Sequence, residues 1–228
     1  STVSWAGGCV EETDVKSVIT MVSELEGEIV TLVPATVGKV TPDGTPDEEW
    51  GWVVEATKEC YAHAQARGVK IAVEPLNRFE TYFFNRCAQA LALAEAVGPD
   101  CGVCLDAFHL NIEEDNIYDA IRLAGDKLFD FHVADNNRFA AGLGHLDWAK
   151  IVGTLQEVGY AGALTNEFVA PVDRTPAAPY HEMIETNPVD ISPEQLKFIE
   201  DPGSSLLAEE FYADQMRITA ETLLPLMK

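Results

Sequence analysis

Short runs of β-branched and apolar residues alternate along the chain with longer stretches whose apolar positions recur at helical spacing, and the unit repeats about every 30 residues. The short runs predict strands over Glu28–Pro34, Val69–Glu74, Gly102–Asp106, Leu128–Val133 and Gly162–Phe168. The longer stretches predict helices over Glu12–Leu25, Asp47–Arg67, Asn85–Val97, Ile117–Ala124, Trp148–Val158 and Leu206–Leu224. Gly68, Gly98 and Gly159 stand where helix C-caps are expected.

Alternating βα units leave two architectures, an open doubly wound sheet or a closed α/β barrel of the TIM type. No glycine-rich phosphate loop follows the first strand, which removes the usual reason for the open sheet and favours the barrel. The 228 residues read as one domain, a partial barrel. Residues 169–205 break the rhythm and carry half of the prolines, so a lid or subunit-contact loop is expected there.

Composition narrows the partners. A formal charge of -23 works against binding phosphate backbones, so nucleic acid is not an expected partner. The sequence holds neither a leader pattern nor an apolar run long enough to cross a bilayer, and a cytoplasmic protein with no membrane partner is expected. The five cysteines are scattered and fit reduced thiols. Cys101 and Cys104 lie in a predicted strand, where residues three apart face opposite sides, and are read as core rather than as a metal or redox pair.

The candidate chemistry lies at strand ends. Glu74, Asp106, His132 and Glu167 each fall at the C-terminal end of a different predicted strand, and in a barrel those ends face one pocket. Three carboxylates and an imidazole form an oxygen-rich site suited to a divalent metal, Mn²⁺, Mg²⁺ or Co²⁺, more than to structural zinc, which prefers thiolates. Such a site suits proton abstraction next to a carbonyl, through an enediolate, and a second carboxylate on the opposite face would return the proton with inversion.

Four blocks carry a resemblance: Ala-Val-Glu-Pro-Leu-Asn-Arg-Phe-Glu over 72–80, Cys-Leu-Asp-Ala-Phe-His-Leu-Asn-Ile-Glu-Glu over 104–114, Phe-His-Val-Ala-Asp-Asn-Asn-Arg over 131–138 and Thr-Asn-Glu-Phe over 165–168. They resemble the ketose 3-epimerases, of the tagatose and psicose epimerase type, among the xylose-isomerase-like TIM barrels. The resemblance implies one Mn²⁺ or Co²⁺ on Glu74, Asp106, His132 and Glu167, with Glu74 and Glu167 transferring protons. It also implies Glu80, His109 and Arg138 on substrate hydroxyls. By residue type alone, Arg138 reads equally as a surface charge and His109 as a helix-start or core histidine. The stretch Gly142-Leu-Gly-His-Leu-Asp-Trp148 departs from the family turn and resembles less specialised sugar isomerases and epimerases.

Such barrels have eight βα units, whereas five strands and a remnant at Thr2–Trp5 are predicted here. The first two units are therefore expected to be absent, with the open side covered in a homo-oligomer or an N-terminal stretch lost from the sequence. Two other functions fit the same residues: an aldose-ketose isomerase, of the sugar or hydroxypyruvate type, and a non-catalytic sugar-binding barrel. A DNA-cleaving relative, endonuclease IV, is disfavoured by the acidic charge. The expected substrate is an uncharged small sugar, since no basic cluster forms a phosphate cradle.

Overall fold

The computed structural model of the chain describes residues 12–169 and 209–227. The strand expected at Thr2–Trp5, Cys9 and the expected lid loop from residue 170 to 205 lie outside them. Contacts divide the described residues into two units, one of residues 12–132 and 153–165, the other of 133–152, 166–169 and 209–227.

The first unit is built on a sheet of β1 (Ile29–Leu32), β2 (Lys70–Val73), β3 (Cys101–Asp106), β4 (Leu128–Val133) and β5 (Leu164–Asn166), hydrogen-bonded in that order. The pairs β1–β2, β2–β3 and β3–β4 are parallel. A doubly wound sheet reverses its strand order at a switch point, whereas here spatial order follows sequence order throughout, as in a barrel wall. All six residues of β3 are buried, as a parallel strand covered on both faces requires.

Helices α1 (Glu12–Glu24), α2 (Pro46–Gln65), α3 (Cys87–Val97), α5 (Ile117–Ala124) and α6 (Trp148–Glu157) fall where helical spacing predicts them. Helix α2 starts at a capping box, in which Thr45 Oγ1 accepts from the Glu48 amide and the Glu48 carboxylate accepts from the Thr45 amide. Gly68 and Gly159 have φ of +70° and +72°, the left-handed turn expected after a helix. Gly98 differs: its backbone is extended, and a Cβ there would stand 2.6 Å from the Tyr61 ring, so close packing rather than a turn explains it.

One helix escapes the sequence reading, α4 (Ala107–Glu113), which begins directly at the end of β3 with no intervening turn residues. Asp106 is both the last strand residue and the N-cap of α4, its Oδ1 accepting from the Phe108 amide at 2.7 Å.

The pairing of β3 with β4 contains a one-residue slip. Val103 pairs with Leu128, but Cys104 pairs with Asp130, Leu105 with Phe131 and Asp106 with His132, leaving Phe129 as the extra residue. Gly102 makes room for it, since a Cβ there would meet the Lys127 carbonyl and come within 2.7 Å of the Phe129 ring.

In the second unit, the segment after β4 folds around Asp135, which is fully buried. Its Oδ1 accepts from the amides of Asn136 (2.9 Å) and Leu146 (3.1 Å), and its Oδ2 from the Gly142 amide and the Trp148 indole, both at 2.9 Å. Helix α7 (Glu209–Leu223) contributes Gln215, whose side-chain oxygen accepts from the Ala140 amide at 2.8 Å. Among the described residues, no helix is long and apolar enough to cross a membrane.

Gly102→Ala is expected to cost about 1–3 kcal/mol, because neither a backbone carbonyl nor a packed ring yields cheaply to an added methyl. Urea unfolding of the variant against the wild type measures it, and an unchanged midpoint would show that the slip between β3 and β4 does not depend on this glycine.

Candidate metal centre

The three donors of the first unit are delivered by adjacent strands. Glu74 follows β2 directly and its amide donates to the Leu32 carbonyl of β1 at 2.9 Å, which carries the sheet pairing to this residue. Asp106 ends β3 and, through the slip in register, stands beside His132 of β4. Relative exposures of 3%, 1% and 8% for Glu74, Asp106 and His132 put all three out of bulk water. A donor atom from each lies within 4.8 Å of those of the other two.

Within this group His132 Nδ1 approaches Glu74 Oε1 to 3.1 Å. Asp106 gives Oδ1 to the start of α4, which fixes its carboxylate plane and turns Oδ2 toward His109 Nε2 at 3.8 Å. His109, on α4, is buried, and its Nδ1 accepts from the Asn77 amide (3.2 Å) and faces the Asn77 side-chain amide (2.9 Å). That leaves Nε2 as the N–H-bearing nitrogen of a neutral ring. Asn77 also donates to Glu80 Oε1 at 2.7 Å, so one asparagine ties together Glu80 and His109. Sequence reading passed over Asn77, whose only signal is its place between Glu74 and Glu80.

Glu167 and Arg138 lie in the second unit. The Glu167 amide donates to the carbonyl of Val133, the residue after His132, at 3.2 Å. Arg138 Nη1 is 3.3 Å from the Glu167 carbonyl and 3.4 Å from its Oε2, and the Val169 amide donates to the Arg138 carbonyl at 2.8 Å. Arg138 has a φ of +63°, a conformation that costs a non-glycine residue on the order of 1 kcal/mol and recurs at functional sites. Its side chain is 13% exposed, and the surface-charge reading of this residue is set aside.

Behind His132, on the same side of the sheet, lie side chains the sequence did not single out. Asp130 sits two residues earlier on β4, its Oδ2 3.5 Å from His132 Nε2. Thr165 Oγ1 donates to both of its carboxylate oxygens, at 2.8 and 3.0 Å. Burial pushes the Asp130 carboxyl up, but hydrogen bonds from His132 and Thr165 outweigh it and hold the group below its ordinary value. Cys104 is buried core, as expected, and its Sγ also lies within 4.8 Å of donor atoms of Glu74 and His132. Burial pushes this thiol far above its usual value, so it stays protonated.

These residues fit a divalent cation. Two buried carboxylates at this range repel in a poorly solvating interior, and a cation between them turns the repulsion into attraction. The 3.1 Å approach of an imidazole nitrogen to a carboxylate oxygen is also the spacing of neighbouring ligands on one small ion, since two donors about 2.1 Å from it at right angles stand about 3 Å apart. Oxygen donors with one imidazole match the hard-to-borderline ions.

Comparison with known proteins gives a family. The profile of the xylose isomerase-like TIM barrel family matches residues 12–201. The chain is 39% identical over 115 residues to a D-psicose 3-epimerase of Enterocloster bolteae, covering 50% of this chain and 38% of the relative. It is 42% identical over 101 residues to a D-psicose 3-epimerase of Agrobacterium fabrum, covering 44% and 35%. The match to these two relatives thus spans well under half of their length. A longer match, 28% over 177 residues, is to the 3-dehydro-D-guloside 4-epimerase of Escherichia coli, 72% of this chain and 67% of the relative. Among solved structures, a D-allulose 3-epimerase from Methylomonas sp. superimposes with a TM-score of 0.74 at 22% identity, covering 94% of this chain and 68% of that one, a likeness of fold.

Saturating Mn²⁺ or Co²⁺, at about 100 times Kd, is expected to stabilise the protein by about 2.7 kcal/mol, a rise of roughly 5–10 °C in melting temperature that a chelator reverses. Glu74→Gln should lose most of that rise. Thermal melts with and without each ion measure it, and a melting temperature indifferent to both would remove the cation from this centre.

Proposed function

The chain belongs to the xylose isomerase-like TIM barrel family, and on that footing we propose that it is a metal-dependent epimerase of a keto-sugar. In this reading Glu74, Asp106, His132 and Glu167 hold one divalent cation, Mn²⁺ before Co²⁺ or Mg²⁺. The observation that carries it is the gathering of Glu74, Asp106 and His132, three buried donors of a cation-binding type, at the C-terminal ends of neighbouring parallel strands. Glu167 is assigned with them by its motif, Thr-Asn-Glu-Phe over 165–168. The relatives support the reaction class, being named for 3-epimerisation of psicose and ribulose and 4-epimerisation of a 3-dehydro-guloside.

When bound, the cation would stabilise negative charge on the carbonyl and hydroxyl oxygens of the sugar. Glu167 removes the proton from the carbon next to the carbonyl on one face, leaving an enediolate, and Glu74 delivers a proton on the other. Because the proton leaves from one face and another arrives on the opposite face, the configuration at that carbon inverts, and the two carboxylates exchange roles when the reaction runs in reverse. His109 offers its Nε2–H to a sugar hydroxyl, since its other nitrogen is taken by Asn77. Glu80, held by Asn77, accepts from another hydroxyl, and Arg138 donates to the sugar beside Glu167. The absence of a basic cluster in a sequence with only eight lysines supports an uncharged sugar.

The reading is tested by incubating ketoses with metal-loaded protein and separating the products. A C3 or C4 epimer is expected, whereas an aldose would move the assignment to aldose-ketose isomerisation, and binding without turnover would leave a sugar-binding barrel. Glu167→Gln should keep the fold, weaken metal binding and lower kcat by about 10²–10⁴-fold; normal turnover would take this glutamate out of the mechanism. Arg138→Ala should act mainly on KM, by about tenfold, the worth of one hydrogen bond to a charged group. Inorganic phosphate should compete weakly, and strong competition would point to a phosphorylated substrate.

A further inference from the structure

The imidazole of His132 lies between two carboxylates, with Nδ1 3.1 Å from Glu74 Oε1 and Nε2 3.5 Å from Asp130 Oδ2. A neutral imidazole carries a single N–H, and a nitrogen that ligates a cation must present its lone pair. Whichever nitrogen keeps the proton therefore decides whether the other can serve as a ligand. Asp130 is placed to decide it. The slip in register sets Asp130 opposite Cys104, one step behind the pair of Asp106 and His132 and on the same side of the sheet.

Asp130 is also held more firmly than a spare strand carboxylate needs to be. Thr165 of β5 donates one hydroxyl to both carboxylate oxygens, and the Phe131 amide donates to Oδ1 at 2.8 Å, which turns Oδ2 toward the ring. Four adjacent features thus form a chain from β5 to the centre: Thr165 hydroxyl, Asp130 carboxylate, His132 ring, Glu74 carboxylate. An aliphatic residue at 130 would take the carboxylate away from Nε2 and remove the preference that keeps the proton on that nitrogen.

Resting on the metal reading above, we propose that Asp130, braced by Thr165, is a positioning residue of the centre: it accepts the Nε2–H of His132 and so fixes the tautomer whose Nδ1 faces Glu74 and the cation. Carboxylate partners of metal-bound histidines act in this way generally, and losing one weakens metal binding by about 10–100-fold.

The test uses two near-isosteric variants, Asp130→Asn and Thr165→Val, and two readouts. Calorimetric titration with Mn²⁺ should give one site in all three proteins, with Kd raised about 10–100-fold in Asp130→Asn and by a smaller factor in Thr165→Val. In protein loaded with diamagnetic Zn²⁺, ¹⁵N-correlated NMR of His132 should find the proton on Nε2 in the wild type and a shifted, faster-exchanging or displaced proton in Asp130→Asn. A merely structural role would lower stability without moving that proton. A wild-type spectrum with the proton on Nδ1, or variants that bind Mn²⁺ as tightly as the wild type, would overturn this inference alone. A wild type that binds no metal would overturn the metal reading together with it. Should Asp130→Asn fail to fold, the wild-type spectrum and Thr165→Val still decide.

Discussion

The slip of one residue between β3 and β4 sets which side chains share the face of the sheet that carries the centre. In a strand, a shift of one position exchanges the two faces, so without the extra Phe129 the register begun at Val103 and Leu128 would bring Phe131 rather than His132 beside Asp106. The apolar and polar sets of β4 would then be exchanged relative to β3. The accommodation is made at Gly102, the one position on β3 with no side chain to oppose the Phe129 ring. Stability of the sheet and the placing of His132 beside Asp106 are thus coupled at Gly102.

From that register the rest of the first unit follows by short covalent steps. Asp106 ends β3 and caps α4, so the same carboxylate anchors a helix and faces the centre. Helix α4 carries His109 back to Asp106, and Asn77, three residues past Glu74, sets the ring's tautomer while holding Glu80. Two histidines accordingly have neighbours outside the candidate donors that orient them, Asn77 for His109 and, as proposed, Asp130 for His132. Polar groups buried this deeply need such partners, and here each bond that satisfies one also aims another.

Much of this was legible along the chain. Short β-branched and apolar runs located all five described strands, and residues at strand C-termini pointed to Glu74, Asp106 and His132 because parallel strands linked by helices deliver those ends to one side. The strict sequence order of the strands then bore out a barrel wall over a doubly wound sheet, and the family match over residues 12–201 agrees. What escaped is lateral. The extra residue Phe129, the pairing of Asp130 with Thr165 and the approach of Cys104 to Glu74 and His132 depend on which residue of one strand lies beside which of the next, and local periodicity does not encode that. Helix α4 escaped because its N-cap is itself a strand residue, so the boundary carries no turn signal. Asn77 and the positive φ of Arg138 escaped because ordinary loop residues acquire such roles only from their neighbours.

The central claim, that a cation-bound centre removes and returns a proton beside a ketone, is most directly tested by isotope exchange. Fructose, psicose, tagatose and ribulose would each be incubated in D₂O with metal-stripped protein and with protein refilled with Mn²⁺, the paramagnetic ion being removed before NMR spectra are recorded. Deuterium is expected at the carbon beside the carbonyl, in substrate and epimer alike, only with the refilled protein. Refilled protein that binds a ketose yet exchanges no carbon-bound proton would contradict it.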